Sequence, residues 1–211
     1  MPVLPTPEHR LAFRERPVRA HVMYQSWASL LFLHWRWNAE EIQRTLPPGL
    51  FADTFQGEAW LAIVPFYMRG IRPRFLPAMR GVSDFLELNV RTYVHDEQGR
   101  PGVWFYSLDC NQPLAVWTAR RFFHLPYQHA RMSAAVSEGW IDYRCQRRGE
   151  PAESHYRYRL GKETRHAEAG SLAFFLAERY LLFSHLRVAS AADRCTTRPI
   201  RWPRPRWRRG M

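Results

Sequence analysis

Apolar and polar side chains alternate most regularly between residues 83 and 131, where the pattern predicts a strand, a turn, a second strand, a helix and a third strand. Because strand side chains alternate with a period of two, the first strand has an apolar side and a polar side. The apolar side carries Leu86, Leu88, Val90, Thr92 and Val94, and the other carries Phe85, Glu87, Asn89, Arg91 and Tyr93. Two glycines and a proline in residues 95–102 then predict an antiparallel hairpin with residues 103–109.

The composition of the second strand indicates whether Glu87, Asn89 and Arg91 are exposed to solvent or covered by other parts of the protein. Charged residues on an antiparallel strand are usually a solvated surface. Here, however, neither alternating set of the second strand is made of ordinary surface residues; the sets are Trp104, Tyr106 and Leu108, and Val103, Phe105, Ser107 and Asp109. We therefore expect both faces of the hairpin to be covered, so that its buried charges must be satisfied by each other or by a ligand.

The region before the hairpin has strand-like composition and one short helix. Residues 19–37 predict one bent strand or two, with a break near residues 26–29, and residues 60–68 predict a buried strand in which Pro65 marks an edge or a bulge. Asn38 is expected to cap a helix over residues 39–45. Residues 69–81 are interpreted as a loop.

The region after the hairpin begins with a helix and continues with strands. Asn111 is expected to cap a helix that runs to residue 124, and residues 127–136, 140–147 and 154–160 predict successive antiparallel strands. A last helix from Gly170 would place Leu172, Phe175, Leu176, Tyr180 and Phe183 at helical spacing. The predicted fold class is α+β, a curved and mainly antiparallel β-sheet or barrel with two or three helices.

Length and composition favour one soluble domain. The chain has 211 residues, 46% of them hydrophobic, which suffices for one sizeable core. Neither a signal-peptide pattern nor an apolar run of about twenty residues is present, so we expect a cytoplasmic protein without a transmembrane segment. The three cysteines form no C-x-x-C pair and the nine histidines form no H-E-x-x-H motif, so the sequence predicts neither a metal site nor a cofactor.

The formal net charge of +12 is concentrated at the C-terminus. Residues 185–211 hold eight arginines and one aspartate, and the remaining body is only mildly basic. Lys162 is the only lysine in the chain, whereas phosphate recognition commonly uses both lysine and arginine. The sequence therefore argues against a nucleic-acid partner for the body.

A series of ordered motifs resembles the YqjF-like proteins, a family without an assigned function. The motifs are F-x-E-x-N-V-R-T-Y-V at 85–94, G-V-W-F-Y-S-L-D at 102–109, L-P-Y at 125–127 and G-S-L-A-F-F-L-A-E-R-Y at 170–180, together with shorter pieces between 25 and 68. The resemblance covers approximately residues 15–183. It implies a fold similar to that of acetoacetate decarboxylase.

The resemblance implies ligand recognition more than it implies decarboxylation. In the decarboxylase a lysine forms a Schiff base, and carboxylates and an arginine surround it. Here Lys162 lies in a polar segment with nothing to lower its pKa, so we predict that the imine route is absent. The remaining candidates are Arg91 as a fork for a carboxylate, Glu87 as proton donor or acceptor, Asn89 and Tyr93 as orienting groups, and Tyr106, Asp109 and Arg120 as further candidates.

Two functional hypotheses follow. In the first, the protein binds a small organic acid or a similar ligand in a polar cavity, with or without acid/base catalysis. In the second, it is a non-enzymatic structural or interaction module in which Glu87 and Arg91 belong to a polar core. A cavity of about 300 Å³ or more that touches both residues would favour the first hypothesis.

The domain is expected to comprise residues 1–184 and to be followed by a tail, 185–211, that we predict to be disordered. The last fourteen residues contain six arginines, three prolines and two tryptophans without strand or helix periodicity. One explanation is an arm for RNA or an anionic membrane. The other, which we favour, is a frame-shifted reading of GC-rich DNA, because the tail begins where the fold should need a further strand.

Overall fold

The structure, a computed structural model, describes residues 2–13, 23–161, 164–165, 167–184 and 202–203. Four short helices occur in these ranges: α1 Pro7–Ala12, α2 Ala39–Thr45, α3 Pro113–Thr118, which continues into a π-helical turn at Ala119–Phe123, and α4 Leu172–Ala177. The strands are β1 Met23–Ala28, β2 Leu33–Trp37, β3 Leu50–Ala52, β4 Ala59–Pro73, β5 Phe85–Asp96, β6 Pro101–Cys110, β7 Tyr127–Ser137, β8 Trp140–Arg147, β9 Glu153–Tyr158, β10 Thr164–Arg165, β11 Leu182–Phe183 and β12 Trp202–Pro203.

One large sheet holds most of these strands, in the order β1-β4-β5-β6-β7-β8-β9. In addition, β2 pairs with β4, β3 pairs with β5, and β11 pairs with β6. All pairings in this sheet are antiparallel except those of β6 with β7 and with β11. The predicted hairpin is confirmed as β5 and β6, with a β-bulge between Val90 and Arg91. The predicted mainly antiparallel fold class is confirmed.

The first half of the chain follows its local sequence signals closely. The side chain of Asn38 accepts hydrogen bonds from the backbone N–H groups of Glu40 and Glu41, which caps α2 as expected. Pro65 lies within β4, opposite the break between β1 and β2, and its carbonyl accepts a hydrogen bond from Leu31 on that side. Proline has no backbone N–H to donate, and at this position neither β1 nor β2 pairs with β4, so no strand hydrogen bond is lost.

Both faces of β5 are covered, as the pattern predicted. On one face, Phe85 and Tyr93 belong to a hydrophobic cluster with β4 residues such as Val64 and Phe66. On the other, Leu86 and Leu88 pack against β7, β8 and β9 in a second cluster. Glu87 and Arg91, which lie between Phe85 and Tyr93 on the same face of β5, are consequently buried beside the first hydrophobic cluster.

Two predicted boundaries are wrong. Residues 69–73 continue β4, because β1 pairs with them as far as Pro73. The helix after the hairpin is capped by Gln112, and Asn111 instead accepts a hydrogen bond from the Leu86 backbone. The helix does end at the predicted residue 124, its C-cap, but its last turn, Ala119–Phe123, is π-helical.

The last predicted helix is also too long. It ends at Ala177, and the chain beyond it turns to pair with the central hairpin through β11. The carbonyl of Leu181 accepts a hydrogen bond from the Val103 backbone, so strand pairing overrides the helical spacing of Tyr180 and Phe183.

Two predictions fall on residues outside the described ranges. These are the surroundings of Lys162 and the predicted disorder of 185–211, of which only β12 is described, paired with β10. Within the described ranges, no helix is long and apolar enough to cross a membrane. Nor do the described histidines, cysteines, aspartates and glutamates form a group of three or more suited to holding a metal ion.

Candidate functional site

A row of three buried polar side chains lies on the face of β5 that contacts the first hydrophobic cluster. Glu87, Asn89 and Arg91 are 3%, 2% and 4% exposed, respectively. Their cross-strand neighbours on β4 and β6 are almost all apolar, namely Phe66 and Cys110 for Glu87, Val64 and Leu108 for Asn89, and Ala62 and Phe105 for Arg91. The polar row therefore has few partners within the sheet itself. We refer to these three residues, with Tyr93, as the β5 site.

Glu87 is a buried carboxyl that can hold a proton at neutral pH. Its Oε2 accepts a hydrogen bond from the hydroxyl of Tyr127, 2.8 Å away. Burial raises the pKa of Glu87 to about 7, and the hydrogen bond from Tyr127 opposes that rise only in part. Glu87 is thus able to donate or accept a proton near pH 7.

Arg91 is a buried cation without an anionic partner among the described residues. Its Nε is buried and makes no hydrogen bond there, and no ion pair joins Arg91 to Glu87 in this part of the chain. The guanidinium carbon lies 5.3 Å from the ring centre of Phe32 and 5.7 Å from that of Tyr93. These aromatic faces stabilise the charge, but they do not use its hydrogen-bond donors.

Tyr93 connects Arg91 to a neutral histidine. The Tyr93 hydroxyl lies 2.7 Å from Nε2 of His34. Burial, assisted by the positive charge of Arg91, lowers the pKa of His34 to about 3. His34 is therefore neutral at physiological pH, which suits a partly buried, hydrogen-bonded histidine beside a cation.

Five buried polar atoms, Nε of Arg91 among them, lack hydrogen-bond partners within the described residues. These atoms are Nε1 of Trp27, Nε1 of Trp60, Oδ1 of Asn89, Nε of Arg91 and Nη2 of Arg179. Trp60 belongs to the first hydrophobic cluster, Trp27 packs against that cluster, and the Arg179 guanidinium lies 5.0 Å from the Tyr93 ring centre. Four of the five atoms are N–H donors. Buried polar groups are normally paired, so this concentration of unused donors is unusual.

The sequence did not indicate a second charged group, formed by Arg10, Asp53 and Arg179. Arg10 forms a bidentate pair with Asp53, at 2.7 and 2.9 Å, and Arg179 Nη1 also donates to Asp53. Burial opposes ionisation of Asp53, but the charges and hydrogen bonds of the two arginines outweigh it and lower the pKa of this carboxyl. Burial lowers the pKa of Arg179 to about 10. The E-R-Y motif at 178–180 was the one available signal for this group.

Three of the predicted site residues lie away from the β5 site. Asp109 is paired with Arg147 at 2.8 Å, and the Tyr106 hydroxyl lies 2.6 Å from that of Thr45. Arg120 is exposed and donates to the backbone oxygen of Tyr127 at 2.6 Å and to the side chain of Gln128. Arg120 thus contacts the backbone of Tyr127, whose hydroxyl donates to Glu87.

The buried thiols of Cys110 and Cys145 are unsuited to nucleophilic chemistry. Burial raises the pKa of each to about 12, so both are protonated at neutral pH. Two cavities of about 440 Å³ occur among the described residues, one beside α2 and one at the turn between β8 and β9. Neither is lined by Glu87 or Arg91.

Sequence similarity to known proteins identifies the family of the chain. Residues 24–208 match the DUF2071 family, described as "Uncharacterized conserved protein". The chain is 40% identical over 167 residues to the "Uncharacterized protein YqjF" of Bacillus subtilis (strain 168), a match that covers 79% of this chain and 69% of that protein. The chain belongs to the DUF2071 family, and the predicted YqjF-like assignment is confirmed. The family match extends beyond residue 184 and includes most of the predicted tail.

Solved structures share the fold at low sequence identity. The enduracididine biosynthesis enzyme MppR, complexed with the condensation product of pyruvate and imidazole 4-carboxaldehyde, matches with a TM-score of 0.54 and 16% identity over 72% of this chain and 61% of that chain. The acetoacetate decarboxylase from Legionella pneumophila matches with a TM-score of 0.45 and 14% identity over 60% of this chain and 43% of that chain. The chain thus spans less than two thirds of either protein. At 16% identity, the likeness to MppR shows the fold alone.

Proposed function

We propose that this protein binds a small organic acid at the β5 site, with the carboxylate of the ligand at Arg91. The observation that carries the proposal is the burial of the Arg91 guanidinium without an anionic partner among the described residues. An unpaired buried charge is very costly, whereas a carboxylate matches the donor geometry of arginine. A bound acid would supply the missing negative charge.

The ligand is expected to carry several oxygen acceptors. Trp27, Trp60, Arg91 and Arg179 each offer a buried N–H without a partner in the described residues. Carboxylate, carbonyl and hydroxyl oxygens all accept such donors. A hydroxy or oxo acid therefore fits this set better than a simple fatty acid, which would leave most of the donors unpaired.

Glu87 gives the site a group for proton exchange. With a pKa of about 7 it is present in both protonation states at neutral pH. It lies two positions from Asn89 and four from Arg91 on the same face of β5. We assign it the role of proton donor or acceptor toward the bound acid, without imine chemistry.

The alternative hypothesis, a non-enzymatic structural module, has two observations in its favour. Neither of the two described cavities touches Glu87 or Arg91, and Glu87 already has a hydrogen-bond partner in Tyr127. In that case the polar row would be a structural element of the core. It would stabilise the fold without a ligand.

Thermal unfolding with pyruvate and its neutral amide, pyruvamide, separates the two hypotheses. Pyruvate is a small carboxylate with a second oxygen acceptor. We expect a saturable rise in Tm of about 5 °C or more with the acid at a hundred times its Kd, and little change with the amide. Arg91→Gln should abolish the rise, whereas Arg144→Gln, at an exposed salt bridge with Glu153, should retain it. The structural-module hypothesis is favoured if no member of a panel of small hydroxy and oxo acids raises Tm and Arg91→Gln only lowers the Tm of the free protein.

A further inference from the structure

An exposed apolar surface lies on the loop after β4 and on α3 with its π-helical turn. The exposed fractions of Phe75, Trp117 and Phe122 are 87%, 58% and 60%, respectively. The apolar members of this surface are Phe75, Leu76, Met79, Leu114, Trp117 and Phe122. Large apolar side chains at such density on two segments mark an interaction surface more often than an ordinary exterior. We name these six residues, with the arginines below, the apolar–arginine patch.

A hydrogen bond joins the two segments, and further hydrogen bonds hold the loop in shape. Gln112, the cap of α3, donates through its side-chain amide to the carbonyl of Gly81 at 2.6 Å. Within the loop, the Met79 backbone N–H donates to the side chain of Ser83 at 2.8 Å, and the Ser83 N–H donates back to the Met79 carbonyl. Trp117 and Phe122 meet edge to face with ring centres 5.7 Å apart. The loop and α3 are therefore held next to each other, and Trp117 contacts Phe122, before any partner binds.

The charge of the patch has one sign. Residues 69–83 and 110–137 contain no aspartate or glutamate. Exposed arginines accompany the apolar side chains, namely Arg74, Arg80, Arg120 and Arg121. The Arg74 guanidinium lies 5.3 Å from the Phe75 ring centre, and that of Arg121 lies 5.9 Å from Phe122. A complementary partner is consequently both apolar and anionic.

We propose that the apolar–arginine patch docks on the surface of a bilayer that contains anionic lipids. Phenylalanine, tryptophan and leucine side chains enter the interface between headgroups and acyl chains, while arginines remain at the level of the phosphates. Each arginine near such a surface strengthens binding about fivefold. This inference does not depend on the ligand of the β5 site.

Other partners fit the patch less well. In a symmetric dimer through the same surface, arginines of one copy would face arginines of the other, which is repulsive. Single-stranded RNA would stack on the aromatic rings, but Leu76, Met79 and Leu114 offer no aromatic face. A lipid surface uses both the aliphatic side chains and the arginines.

Sedimentation of the full chain with vesicles tests the proposal. We expect binding to vesicles of equal parts phosphatidylglycerol and phosphatidylcholine, little binding to pure phosphatidylcholine, and weakening as NaCl rises from about 0.1 M to about 0.5 M. The double variant Phe75→Ser/Trp117→Ser should lower the partition coefficient about tenfold or more. Arg74→Gln/Arg121→Gln should lower it at low salt while leaving Arg120, which contacts Tyr127, in place.

Matched controls use exposed residues outside the patch. Val136→Ser/Leu160→Ser removes side chains that are 68% and 50% exposed, and Arg144→Gln/Arg157→Gln removes two exposed arginines of β8 and β9. These variants should bind vesicles as the original protein does. The proposal is overturned if anionic vesicles fail to sediment the protein or if controls and patch variants lose binding equally. It is also overturned if the patch variants instead abolish a dimer seen by light scattering, or abolish binding to a single-stranded RNA.

Discussion

The hydroxyl of Tyr127 donates a hydrogen bond to Oε2 of Glu87 over 2.8 Å, linking the first residue of β7 to a buried carboxyl in the middle of the sheet. Two opposing effects therefore set the proton affinity of Glu87. Burial favours the neutral acid, and the Tyr127 hydroxyl favours the carboxylate. Burial is the larger effect, so the site holds a proton that an exposed glutamate would have lost.

Glu87→Gln should change how stability depends on pH. The folded protein binds the Glu87 proton up to about pH 7, whereas the unfolded chain releases it near the ordinary value of 4.5. Wild-type stability should therefore fall as pH rises through this window and stay lower above it. Glu87→Gln lacks this loss. Between pH 4 and pH 8, its free energy of unfolding should therefore fall by about 3 kcal/mol less than that of the wild type. Chemical denaturation at both pH values measures the difference, with the exposed Glu168→Gln as control; parallel pH profiles for wild type and Glu87→Gln would contradict the assignment.

Tyr127→Phe should move the Glu87 titration upward. The variant loses the hydrogen bond that lowers the pKa of Glu87, so only the effect of burial remains. Carbon-13 NMR of labelled glutamate carboxyls measures the shift directly. Tyr158→Phe, which removes a hydroxyl that donates to Ser29, serves as the matched control. A titration of Glu87 that is unchanged or lower in Tyr127→Phe would show that the hydroxyl does not act on the carboxyl.

Asp53→Asn should destabilise the fold strongly. Asp53 is the carboxylate that Arg10 and Arg179 share, and its loss leaves two buried guanidinium groups without their anion. Breaking a buried pair in this way costs about 3 kcal/mol or more. Asp142→Asn removes an exposed carboxylate that contacts His155 and Arg157, and should cost less than about 1 kcal/mol. Equal losses in urea denaturation would mean that the buried group does not support the fold.

Gly102→Ala tests the contact of β11 with the central hairpin. A methyl group at this position would lie 2.5 Å from the Phe183 ring and 2.7 Å from the Leu181 carbonyl oxygen, so β11 would have to move. We expect a loss of about 2 kcal/mol or more. Gly139→Ala meets no atom within 4 Å but has a positive φ, and should cost only about 1 kcal/mol of backbone strain. A smaller loss for Gly102→Ala than for Gly139→Ala would argue against β11 lying there.

Local patterns predicted the polar row but not its electrostatic surroundings. The alternation of side chains along a strand, with a period of two residues, placed Glu87, Asn89 and Arg91 on one side. The apolar partner strand indicated that this side was covered. The pairing of Asp53 with Arg10 and Arg179 joins residues 43 and 126 positions apart. Apart from the E-R-Y motif at 178–180, a single sequence has no signal for such contacts, because they depend on how distant segments pack together.

The boundary errors have the same physical origin. The spacing of Phe175 and Tyr180 suits a helix, yet the hydrogen bond between Leu181 and Val103 draws the segment into the sheet. Asn111 is a good helix cap by type, but its side chain is used by Leu86 of the neighbouring strand. In both cases a tertiary hydrogen bond outweighs a local preference of less than about 1 kcal/mol.

The central claim is that Arg91 holds the carboxylate of an organic acid, and a structure of the protein soaked with pyruvate tests it most directly. The predicted result is a carboxylate oxygen about 3 Å from Nε of Arg91. A second ligand oxygen should lie within reach of the Trp27 or Trp60 indole N–H. Pyruvate bound only at exposed arginines, or absent from the β5 site at concentrations that raise Tm, would contradict the claim.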